Sequence, residues 1–269
     1  MMSNNVNERD IPAEDSHGNL LEAPYSIIWR ILHGISYLIG GLTFICGSCM
    51  YFTKVIAEYD QALNAGAWFY IVGSAAFLIA DLQDWFYYRI GLFIISKRQK
   101  ENNTVSNTNH VDKESKTCSD RYRRVQIDLN YLASILGSIL YLAGSVLFLP
   151  KYSDDIIAGD VLFITGSAAI YLSEAWKIYR LACTSAVDPN DTHFHFQNIR
   201  HNLQAIFISF FAGLGGVFYF VGTILFLPQY TSTDFSENRA AALFLCGGIF
   251  FSLAGLLLQY RYFCRCNRK

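Results

Sequence analysis

A helix needs about 20 apolar residues to cross the hydrocarbon core of a bilayer, and this chain carries six stretches of that kind. They lie at 31–52, 65–80, 131–149, 156–176, 205–227 and 240–258. Four meet the requirement outright. The stretch 65–80 is short and runs into Asp81 and Asp84, and 156–176 carries Asp160 and Glu174 near its ends. Each of these two follows a strong segment after a short connection, so each reads as the return arm of a hairpin. Runs this long, without period-two alternation, argue against the strands of a closed β-barrel. The predicted fold is an all-α membrane protein of six transmembrane helices, arranged as three repeated antiparallel hairpins at 25–97, 129–180 and 204–263. Between and around them, 98–128 and 181–203 read as polar linkers, the first a flexible loop. Residues 1–24 read as a disordered tail and 264–269 as a basic one.

Composition supports this class. Charged residues make up 16% of the chain, against about a quarter in soluble domains. With 21 basic and 22 acidic side chains, there is no concentrated basic surface for nucleic acid. The first 24 residues lack the basic start and apolar core of a cleavable signal, so the first helix is expected to serve as an uncleaved insertion signal. Cys46, Cys49 and Cys246 lie in apolar blocks and read as small packing residues. No disulfide scaffold or metal is expected.

The first arm of each pair carries glycines seven residues apart: Gly40 and Gly47, Gly137 and Gly144, Gly215 and Gly222. An aromatic follows the first glycine by four residues (Phe44, Tyr141, Tyr219) and by eleven (Tyr51, Phe148, Phe226). The second arms carry Gly73, Gly166 and Gly247, each before a small residue. Seven residues is nearly two helical turns, so each set falls on one face. Lipid offers little hydrophobic drive between helices, and small residues let backbones approach. The nine glycines therefore read as helix-packing positions. The aromatic stripe reads as packing, with a ligand groove as the alternative.

The run Leu136-Gly137-Ser138 through Gly144-Ser145-Val146-Leu147-Phe148-Leu149-Pro150, followed by Ile164-Thr165-Gly166-Ser167, resembles the YrhK-like domain, a short two-helix membrane domain. The resemblance is clearest over 131–180, good over 205–263 and weakest over 31–89, where Thr53 stands in place of proline. It implies a membrane hairpin, here in three copies, and brings no catalytic residues with it.

Three hairpins place both termini and both long connections on one side. Of the basic residues, Lys54, Lys151 and Arg239 lie in the three short turns, and the rest gather on the other side, which predicts cytoplasmic termini. Trp85, Tyr87 and Tyr88 before Arg89, Trp176 and Tyr179 before Arg180, and Tyr260, Tyr262 and Phe263 around Arg261 read as an interfacial aromatic belt. Arg30 and His33 are expected among headgroups. The sequons at Asn102 and Asn190 fall on the cytoplasmic side and are expected to stay unused. Cys183, Cys264 and Cys266 lie near that interface as candidates for palmitoylation, with free thiols as the plain alternative.

Asp81 and Glu174 sit eight residues after Gly73 and Gly166, where the third pair has Gly255. Acidic residues in a membrane segment are candidates for an ion or proton site. Interfacial pairing with Arg89, Lys177 or Arg180 is the preferred reading. His193, His195 and His201 are a weak metal signal on what reads as a solvated loop. No nucleophile, phosphate-loop or dinucleotide motif is present, and no cofactor is implied. The expectation is a non-enzymatic membrane protein in contact with the lipid bilayer, structural or interaction-based, as a homo-oligomer or within a larger assembly. A small transporter or channel is the alternative, and a membrane enzyme acting on lipid or quinone a further one.

Overall fold

The computed structural model describes residues 27–103, 111–183, 194 and 196–264, and their side chains outside 90–124 and 201. Among the described residues eight α-helices run in chain order: α1 (Ile27–Met50), α2 (Thr53–Glu58), α3 (Ala62–Asn103), α4 (Val111–Leu147), α5 (Ile156–Ala182), α6 (Phe196–His201), α7 (Leu203–Phe226) and α8 (Asp234–Phe263). A 3-10 turn at Pro150–Asp155 precedes α5. No strand occurs among the described residues. Six segments of the described residues are long and apolar enough to cross a membrane: Ile27–Met50, Ala62–Arg89, Val125–Leu147, Pro150–Ala182, Leu203–Phe226 and Asp234–Phe263.

The expected flexible loop at 98–128 is largely helix, since α3 extends to Asn103 and α4 begins at Val111. The physical reason is composition. No glycine or proline occurs between Gly91 and Gly137, and Lys, Arg, Gln and Glu propagate a helix well. The linker 181–203 likewise contains the last residues of α5 and all of α6, which Asn198 fastens by donating its side-chain amide to the Ala182 carbonyl at 3.0 Å. The tails, Cys266, His193, His195 and the Asn190 sequon lie outside the described residues, as does the side chain of His201.

Six helices pack in the cyclic order α1, α3, α4, α5, α7, α8, and α8 packs on α1. The bundle is thus a closed ring, not a row. Glycine explains how close the neighbours come. Within the first pair, Gly40 faces the Phe77 ring, Gly47 faces Tyr70 and Gly73 faces Phe44. In the second, Gly137 faces Ile170, Gly144 faces Phe163 and Gly166 faces Tyr141. In the third, Gly215 faces Phe251, Gly222 faces Phe244 and Gly247 faces Tyr219. Each glycine receives a ring or branched side chain from the facing arm at the corresponding place.

The next small residue serves the seam between pairs. A methyl group on Gly41 would meet the Ser252 backbone nitrogen at 2.6 Å. On Gly216 it would meet the Ser167 carbonyl at 3.2 Å, and on Gly248 the Ile45 backbone nitrogen at 2.9 Å. Between α3 and α4 the seam is polar, with the Ser74 and Ser145 hydroxyls 3.1 Å apart. The outward faces carry exposed Ile39, Leu42, Ile79, Leu136, Leu172, Phe210 and Leu256, a surface suited to lipid.

Phe44, Tyr141 and Tyr219, one from each first arm, meet at the centre with ring centroids 5.7, 5.1 and 6.1 Å apart. All three are 0% exposed. Tyr70, Phe163, Phe244 and Phe251 pack around them in one continuous core. Ser48, Ser145 and Thr223 each donate to the carbonyl four residues back, at Phe44, Tyr141 and Tyr219 respectively, at about the same length (2.7 Å). That satisfies three buried hydroxyls within their own helices. The aromatic stripe is therefore the core of the ring and not a groove.

Candidate functional site

The long-connection end of the ring holds most of its buried polar chemistry. Asp81 lies on the α3 face turned to α4, where Ser134 donates to one carboxylate oxygen at 2.8 Å and Ser138 donates to the other. Glu174, on the corresponding face of α5, takes the Lys177 ammonium at 2.7 Å. Its Cβ packs at Gly213 of α7, where an added methyl would lie 3.5 Å away. Gly255 occupies the third such position because α8 approaches α1 there: a methyl group would sit 3.1 Å from the Leu38 Cα. All three positions therefore face the seam to the neighbouring pair. Space decides which of them carries an acid.

Asp84, one turn beyond Asp81, accepts from His33 Nε2 at 3.0 Å. With that nitrogen protonated, a neutral ring accepts the Tyr262 hydroxyl at Nδ1, 2.9 Å away. Trp29 stacks on His33 with centroids 4.8 Å apart, and Arg30 donates to the Tyr262 carbonyl at 3.2 Å. His33 is 4% exposed. It belongs to a buried acid–imidazole–phenol chain, and its expected place among headgroups is corrected. Lys177 lies within electrostatic reach of Glu174, Asp84 and Asp81 together. Tyr37 feels the same three carboxylates.

Of the expected ion pairs, Glu174 with Lys177 is present. Asp81 is held by serines, and Arg89 pairs with Asp128 at 3.3 Å. The aromatic belt is partly inward. Trp176 and Tyr179 are exposed, whereas Tyr88 is 2% exposed against Tyr131, and Tyr262 is buried by the His33 chain. Cys46, expected to be a packing residue, is exposed on the outer face, while Cys49 and Cys246 are half-buried. Cys183 is half-buried at the end of α5, and Cys264 is exposed at the end of α8.

Sequence reasoning missed the His33–Asp84–Tyr262 chain, because its members are far apart in the chain. It also missed a clasp at the short-turn end. Thr53 donates its backbone N–H to Asn238 at 3.0 Å and receives the Asn238 amide on its hydroxyl at 2.9 Å. Thr53 is the residue that stands in place of proline. Its backbone donor, which proline lacks, is what the clasp uses.

The arrangement gathers Asp81, Asp84, Glu174, His33 and Lys177 at one end of the ring. The aromatic core separates that end from the other. Among the described residues no group of three or more His, Cys, Asp or Glu is arranged to hold a metal ion. No curated protein and no solved structure matches the chain. The motif resemblance is clearest in the second and third pairs, yet the family match falls on the first. Residues 27–82, which cover α1, α2 and the first half of α3, match the family model described as YrhK-like protein.

Proposed function

We propose that this chain is a multi-pass integral membrane protein built from three YrhK-like hairpins around a pseudo-three-fold axis. It acts without catalysis, as a packed structural or interaction component of the membrane. The observation that carries this reading is the core: three equivalent aromatics meet at the centre of a closed ring. The corresponding glycine-to-ring contacts in all three pairs support the triplication. The distribution of Lys and Arg supports cytoplasmic termini. The exposed apolar flanks suit lipid or further copies of the chain.

A transporter reading draws on Asp81 and Glu174, which share one end of the ring with Lys177. The Glu174–Lys177 contact lies within α5, and the interhelical hydrogen bonds of Asp81 are of a kind that contributes about 0.6 kcal/mol on average in membranes, so this cluster is not what holds the bundle together. Reconstitution into liposomes separates the two readings. The packed-core reading expects proton, Na+ and K+ flux no greater than in protein-free vesicles. Flux abolished by Asp81→Asn or Glu174→Gln would establish transport instead.

A further inference from the structure

Asp160 lies one turn into α5 at the short-turn end and is 1% exposed. Neither carboxylate oxygen has a hydrogen-bond partner among the described residues. No ion pair involves it among the described residues. Tyr51, 5% exposed, likewise has a buried hydroxyl without a hydrogen-bond partner among the described residues. The two are within electrostatic reach of each other. Tyr70 of α3 stacks on Tyr51 with centroids 5.5 Å apart, and its own hydroxyl is engaged by Ser48. Tyr70 thus flanks Tyr51 and leaves the Tyr51 hydroxyl unengaged among the described residues.

The corresponding positions in the other pairs show what this place requires. Asp160 precedes Gly166 by six residues, and Ala67 and Ala241 precede Gly73 and Gly247 by the same interval. Both alanines are 0% exposed and belong to the core. A methyl group is therefore enough for packing, and the carboxyl is additional. An isolated ionised carboxylate in a low-dielectric interior is strongly unfavourable, and such a residue in a membrane segment marks a ligand or proton site. A single positive charge would relieve it. Two carboxylate oxygens and the Tyr51 hydroxyl are free to receive it, with aromatic faces alongside.

We propose that Asp160 and Tyr51 form a binding site for one positive charge, a proton or a monovalent alkali cation, entered from the short-turn end. The cluster at Glu174 is separate from it. The two acids are fourteen positions apart on α5, about 21 Å along the axis at 1.5 Å per residue, and Phe163 with the three central rings fills that interval.

The test is labelling of the purified full chain with dicyclohexylcarbodiimide, read by mass spectrometry. The same samples are followed by thermal denaturation in NaCl, KCl or choline chloride at constant ionic strength. The site predicts labelling at Asp160. Occupancy by a proton makes labelling fall about tenfold per pH unit above the carboxyl's midpoint, indifferent to which salt is present. Occupancy by an alkali cation makes NaCl or KCl protect where choline does not, and raises the denaturation temperature. Asp160→Ala installs the residue native to the two corresponding places, so it folds and loses every one of these dependences. Tyr51→Phe keeps the ring and weakens them. An unlabelled Asp160, labelling insensitive to both pH and cation, or an Asp160→Ala chain retaining the wild-type dependence would overturn the proposal.

Discussion

Gly41→Leu destabilises the bundle by about 3 kcal/mol or more, the upper end for overpacking a close contact. Even a methyl group there would lie 2.6 Å from the Ser252 nitrogen and 2.8 Å from its Cα. These are backbone atoms of α8 and cannot rotate away, so α1 and α8 must separate. Gly213→Ala is the matched control. Its added methyl finds its nearest neighbour at 3.5 Å, an ordinary contact, and the denaturation temperature is expected to stay close to wild type. Thermal unfolding in mild detergent, with size-exclusion chromatography to follow aggregation, compares the two. A Gly41→Leu chain as stable as Gly213→Ala would mean that α8 does not lie against α1.

Lys177→Met has the second largest expected effect. The substitution keeps the length of the side chain and removes a cation that bonds Glu174 at 2.7 Å and faces Asp84 and Asp81. Removing one partner of a buried pair costs about 3–5 kcal/mol. The Lys177 side chain is 29% exposed, and water moderates the loss to about 2–3 kcal/mol. Adding Glu174→Gln removes the stranded charge and is expected to restore most of the stability. The non-additivity of that double-mutant cycle is the measurement. Strictly additive effects would show that the two side chains do not interact.

The local rules were legible in the residues. Glycines seven apart predict one packed face, and Gly40, Gly47, Gly73 and their counterparts all receive rings or branched side chains there. The six long apolar helices were equally visible. Closure of the ring was not, because it depends on contacts such as Thr53 with Asn238 and His33 with Tyr262, which leave no periodic trace. Hydropathy also misplaced the helix ends. Polar residues between Gly91 and Gly137 lower the apolar signal while favouring the helix itself. Asp160 looked like a residue near a helix end. Its alignment with Ala67 and Ala241 was already present in the repeat and would have marked it as a core position.

Closure is the claim on which the central core depends, and a disulfide tests it most directly. Thr53→Cys and Asn238→Cys, introduced together with the native cysteines replaced, put two thiols where the Asn238 amide now donates to the Thr53 hydroxyl at 2.9 Å. Met50→Cys with Gly66→Cys serves as the within-pair control, since the Met50 Cβ lies 3.2 Å from the place a Gly66 Cβ would take. After mild oxidation in the membrane, a closed ring yields the 53–238 cross-linked peptide from monomeric protein, as readily as the control. If the control cross-links while 53 and 238 link only between chains or not at all, the hairpins form an open row and the account is wrong.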